Sequence, residues 1–143
     1  RNEVSAQLRA QVAFTPDLVL DAYLEPFASS GAYDRFGELA AAGSRALRRY
    51  GEDGTEIMPG AGGYLVSDGA DGFLLADPDF TVLSLRGTLV ARWELSPGST
   101  LYAVWQENRG EARAGAGLDQ LGDVFTIPCR HTVALKLSYW WSP

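Results

Sequence analysis

The chain is poor in the residues that carry most protein chemistry. It holds one Cys, one His and one Met in 143 residues. With Cys129 as the only thiol, an intrachain disulfide and a cysteine-based metal cluster are both excluded. There is no apolar run of about 18 residues, so no stretch reads as a membrane-spanning helix. That leaves a membrane β-barrel open, because its strands each carry only a weak signal. Cations are the minority charge: 12 Lys and Arg against 18 Asp and Glu, a net charge of −6. This balance argues against nucleic acid as a partner. The sequence starts at Arg1 with no signal peptide and no initiator Met, so the expectation is a processed product or a piece of something longer.

What the chain does have is alternation. In His131 to Trp141, Val133, Leu135, Leu137, Tyr139 and Trp141 form one face, and Thr132, Ala134, Lys136, Ser138 and Trp140 the other. Period-2 alternation gives a β-strand with different surroundings on its two sides. A final strand of about ten residues with an aromatic end suits a transmembrane β-barrel. Similar patterns predict strands over about 4–14, 18–25, 82–95, 100–108 and 131–141. Thr15-Pro16-Asp17 and Ser96-Pro97-Gly98-Ser99 read as tight turns, since Pro fixes φ at a turn's second position. Between them lie two long Gly-rich segments, about 26–79 and 109–130, the first with a short helix expected within 33–47 on the spacing of Phe36, Leu39 and Leu47.

The connections alternate short turn, long loop, short turn, long loop. In an up-and-down meander this puts both turns at one end and both loops at the other, the asymmetry of an outer-membrane barrel with long extracellular loops. Phe14, Trp93, Tyr139 and Trp141 then share the apolar face and one height, a candidate aromatic girdle at the membrane interface. Arg9, Asp21, Glu25, Arg86, Arg92, Glu94 and Lys136 fall on the opposite face, which would be the lumen. Near the midplane of the lipid face a Lys or Arg costs about 2–4 kcal/mol, so this segregation matters. Glu107 would fall on the apolar side, so either it lies above the membrane or the register fails there. Five strands cannot close a barrel, and an open edge in lipid leaves unpaired backbone groups at several kcal/mol each. The fold expected is therefore all-β, an antiparallel meander of about five strands, forming the C-terminal part of a larger transmembrane barrel.

Several segments resemble the C-terminal barrel of a bacterial outer-membrane family of unknown function. They are Phe14-Thr15-Pro16-Asp17-Leu18, Glu25 to Gly31, Asp77-Pro78-Asp79-Phe80, Leu85 to Glu94, Pro97 to Gln106 and Leu135 to Trp140. Full-length members of that family begin with a family-9-type carbohydrate-binding domain, which this sequence does not contain. Ile127-Pro128-Cys129-Arg130-His131 departs from the more polar lead expected before the last strand. The resemblance implies localisation in the bacterial outer membrane. It implies outer-membrane lipid and the remaining barrel strands as partners, and the barrel assembly machinery reading the last strand. Glycan binding or transport would be functions of the full-length protein, with no sugar-binding residue assigned here.

Catalytic chemistry finds little support. Cys129 and His131 lie close in sequence without a third partner. Asp68, Asp71, Asp77 and Asp79 lack the regular spacing of calcium loops, and Gly60-Ala61-Gly62-Gly63 has no following Lys for a phosphate loop. No catalytic residue, metal ligand or cofactor is assigned, and no enzymatic activity is expected. The rival reading is a soluble all-β module that binds a ligand through its long loop. A barrel enzyme ranks last.

Overall fold

Strands dominate the computed structural model, which describes residues 1–118 and 121–141. In chain order they are β1 (Asn2–Ser5), β2 (Leu8–Ala13), β3 (Leu18–Gly31), β4 (Gly37–Leu39), β5 (Leu47–Arg49), β6 (Thr55–Gly60), β7 (Gly63–Asp68), β8 (Asp71–Ala76), β9 (Phe80–Ser96), β10 (Ser99–Ala114) and β11 (Arg130–Ser138). A 3-10 turn, Leu121–Phe125, is the only helical element among the described residues. The fold is all-β and its sheets are antiparallel. Among the described residues the strands do not close into a barrel.

Two compact units divide the chain. One holds Arg1, Ser30–Thr81 and Arg113–Gly117; the other holds Asn2–Ser29, Val82–Ala112 and the described residues from Leu118 on. The second unit is built on a six-stranded sheet in the order β1-β3-β9-β10-β11, with β2 also pairing β3. The predicted first strand is split at Ala6–Gln7, although Ala6 N still donates to Pro26 O at 3.1 Å. The predicted second and fourth strands run further than their alternation implied, β3 to Gly31 and β10 to Ala114. The last strand is shorter, and Tyr139–Trp141 lie just beyond it.

The first unit corrects the expectation of an irregular 26–79 segment. It contains the β4-β5 hairpin and a three-stranded β6-β7-β8 sheet. No helix forms over 33–47. Gly37 explains part of this: a Cβ there would stand 2.5 Å from Arg48 O, so the strands close on a position only glycine fills. Gly43, with φ of 78°, then turns the hairpin where a helix would need a negative φ. Val66 is fully buried, Phe36 meets Tyr64 at 4.8 Å, and Tyr50 meets Phe73 edge-on at 5.6 Å. Arg48 forks onto Asp68 at 2.5 and 2.8 Å and reaches Glu38 at 3.3 Å. The hydrogen bonds from Arg48 hold the Asp68 carboxyl below its ordinary range, and Asp68 in turn raises Arg48.

The core of the second unit is small. Ala28, Leu83, Leu85, Val124 and Ile127 are buried together, with Leu118 packed against them. The segment after β10 therefore folds back over one end of the sheet, carried by the 3-10 turn.

Candidate functional site

Local alternation gives the sheet of the second unit two distinct surfaces. On one, Leu8, Ala10 and Val12 of β2 pair with Leu24, Ala22 and Leu20 of β3. Leu101, Ala103 and Trp105 of β10 likewise pair with Leu137, Leu135 and Val133 of β11. This apolar surface has two zones. At the β9 start it is covered, and Leu83 and Leu85 are 2% and 4% exposed. Toward the turns it is open: Trp93 and Leu95 are exposed, and on the edge strand Val133, Leu135 and Leu137 are 69%, 72% and 60% exposed.

Glu107 marks the border. It stands opposite His131, in register, and a Cβ on Gly87 would lie 3.9 Å from the Glu107 Cβ. It therefore does occupy the apolar side, as the alternation indicated. Arg109 neutralises it: Nε donates to Glu107 Oε1 and Nη1 donates to Phe125 O, tying the pair to the 3-10 turn. Both side chains are largely shielded, at 19% and 13% exposure for Arg109 and Glu107. A shielded charge that keeps a partner avoids the several kcal/mol that a lone one costs. Trp105 stacks on the His131 ring beside it at 5.6 Å.

The four aromatic residues expected to form a girdle all lie at the turn end of this sheet. Phe14 N donates to Leu18 O across the first Pro turn, and Glu94, next to Trp93, donates its N–H to Asp17 O at 2.8 Å. At the second turn Trp140 N donates to Ser99 Oγ at 3.1 Å, which fixes Tyr139 and Trp141 at the same end. Phe14, Trp93, Tyr139 and Trp141 are each about half exposed or more.

The charges expected to face a lumen occupy alternate positions of β2, β3, β9 and β11, and part of them is networked. Arg9 lies over the Tyr23 ring at 5.3 Å, and Tyr23 OH donates to Glu25 Oε2 at 2.9 Å. Gln7 Nε2 reaches Glu25 at 3.4 Å, and Gln11 Nε2 donates to Asp21 at 2.7 Å. Lys136 stands over Tyr102 at 6.0 Å. Among the described residues Arg86, Arg92 and Glu94 make no side-chain hydrogen bond or ion pair with this network, though Arg86 lies near enough to Tyr23 to act on it electrostatically. The Tyr23 ring thus bridges a cation, Arg9, and a carboxylate, Glu25.

Other candidates disperse. Asp68 is committed to Arg48, Asp79 Oδ1 accepts from Tyr33 N, and Asp77 Oδ1 accepts from Asp79 N. Among the described residues no cluster of three metal-ligating side chains forms. Cys129 Sγ lies 2.9 Å from His131 Nε2, which alternation over two residues brings about. Residues passed over in the sequence include Ser84, Asn108 and Arg130, which share the polar surface near Arg86. Their signal was present: the polar alternation of β10 runs on through Asn108 and Gly110. No protein-family model, curated protein or solved structure matches this chain.

Proposed function

We propose that this chain is the C-terminal segment of a bacterial outer-membrane β-barrel. Its open apolar zone meets lipid, its polar surface faces a wet lumen, and further strands pair with its two edges. The observation that carries this is β11: an edge strand whose apolar row is more than half exposed and leads on to Tyr139 and Trp141, 72% and 78% exposed. Nine residues rising about 3.3 Å each span about 30 Å, or about 23 Å along the normal at a 40° tilt. That matches an apolar band of about 25 Å. The segment resemblance supports the same reading, with the terminal strand as the part read by the assembly machinery.

Membrane fractionation tests it. The expected result is recovery in the outer-membrane fraction, resistance to extraction by carbonate, and dispersion only with detergent. A monodisperse protein in plain buffer would sink the proposal and favour the soluble all-β module. That second reading draws on the covered zone, where Val124 and Ile127 bury Leu83 and Leu85 as a water-soluble core would.

A further inference from the structure

The polar surface holds a concentration of positive charge that the chain's overall balance does not predict. A cavity of about 580 Å³ opens there; Ser84, Arg86, Asn108, Arg109, Cys129 and Arg130 are among the residues that line it, and none of its lining residues is acidic. Its floor is set by register. Asn108 of β10 lies directly opposite Arg130 of β11. On the other side, a Cβ on Gly110 would lie 3.8 Å from Ser84 Cβ, while Gly87 approaches Glu107. Arg86 of β9 is thereby placed beside Asn108, so Arg86, Asn108 and Arg130 form one row across three strands. Gly110 leaves the space next to that row free of a side chain. Glu107, the nearest acid in sequence, points to the other surface and is held by Arg109.

Arg86 and Arg130 are exposed and make no hydrogen bond or ion pair among the described residues; Glu25 of β3 stands beside Arg86 in register, but its carboxylate accepts from Tyr23 and Gln7. The two guanidinium groups stand on strands two apart, about 10 Å, and each presents a planar fork of donors. An amide and a hydroxyl stand between and beside them. This donor set matches a tetrahedral oxyanion, which accepts paired bonds from each guanidinium and further bonds from neutral donors. We propose that Arg86, Asn108 and Arg130, with Ser84, bind the phosphate group of a small phosphate-bearing solute. The volume exceeds that of inorganic phosphate and falls within the range of small-ligand sites, leaving space for an attached organic group. The site stands on one surface of three paired strands, and its charge is the same whether the opposite surface meets lipid or water.

Cys129, the only thiol in the chain, lines this opening and turns its Sγ toward His131, so it reports from the edge of the site. The experiment compares its labelling by an anionic and a cationic methanethiosulfonate on the full chain, each rate divided by that for a free small thiol. Two unit charges within about a Debye length should favour the anionic reagent by about tenfold. Inorganic phosphate or a hexose phosphate at millimolar concentration should slow that labelling at least threefold. In the Arg86→Gln/Arg130→Gln variant, with circular dichroism unchanged, both effects should vanish. Equal normalised rates for the two reagents would overturn the positive site. Anionic preference without protection by either phosphate would overturn binding. Were Cys129 unreactive to both reagents, phosphate titration followed by phosphorus NMR decides: broadening in the native chain that the double variant loses supports the site, and identical spectra reject it.

Discussion

Replacing Leu135 by Arg separates lipid from water as the neighbour of the open apolar zone. Leu135 sits opposite Ala103 and is 72% exposed, so it fills no core whose loss would confuse the result. From Tyr139 back to Leu135 is about four steps of 3.3 Å, or about 10 Å along the normal at a 40° tilt. With Tyr139 at the interface, that depth lies close to the middle of an apolar band about 25 Å tall. An Arg at this depth costs about 2–4 kcal/mol in lipid, whereas a surface substitution in water stays within about 0.5 kcal/mol. The assay is reversible urea unfolding in lipid vesicles, followed by tryptophan fluorescence. For a slope of about 2 kcal/mol per molar urea, the midpoint should fall by about 1–2 M with the slope unchanged. Ala134→Arg, one residue away and on the polar surface, should shift it by much less. Equal shifts for the two variants, or none for Leu135→Arg, would refute the orientation of the sheet.

Three other outcomes follow from the geometry. Asp68, held below its ordinary value of 3.8 by hydrogen bonds from Arg48, should contribute stability to the first unit that is present above pH 3.8 and lost as pH falls through its lowered value; carboxyl NMR should show the Asp68 midpoint rising toward 3.8 in Arg48→Gln. Ile127→Ala should cost about 2–5 kcal/mol, because the residue is 5% exposed in a small core, and should open the 3-10 segment to limited proteolysis while the strands stay protected. Gly98→Ala places a side chain at φ of 81° and 3.0 Å from Trp140 Cβ, so it should destabilise the second turn by about 1–2 kcal/mol and red-shift tryptophan emission as Trp140 moves off the turn.

The strands of the second unit were legible because one face of each is apolar and period 2 repeats along it, broken only at Ala6–Gln7 and at Glu107. The two Pro turns were legible for a local reason, the fixed φ of Pro16 and Pro97. The first unit was not, and the cause is physical. Strands such as Gly37–Leu39 and Leu47–Arg49 are three residues long, too short to show a period. They are held by a fork between Arg48 and Asp68, twenty residues apart, and by a backbone approach at Gly37 that no local pattern announces. Phe36, Leu39 and Leu47 fitted a helix equally well until Gly43 turned the chain. The candidate sites divide in the same way. Arg86 was visible from its place in a long strand, but its neighbours Asn108 and Arg130 depend on the register of two others.

The row of alternating residues along β9 passes through two environments on the same face. Leu83 and Leu85 lie under Val124 and Ile127, while Trp93 and Leu95 are open. Nothing in the strand itself changes between them, since both pairs are large and apolar. What changes is the covering: the 3-10 segment reaches as far as Glu107 and Arg109, whose paired charges close its edge through Phe125 O. A shielded ion pair is costly to leave against hydrocarbon and is tolerable where water or headgroups begin. In the barrel reading, Glu107 and Arg109 therefore set the outer limit of the lipid zone, and the Pro turns with Phe14, Trp93, Tyr139 and Trp141 set the inner one. The covered residues lie beyond that limit, where an apolar face without lipid needs a protein cover. On that reading the cover lies on the water side of the boundary, where an irregular backbone path is tolerated.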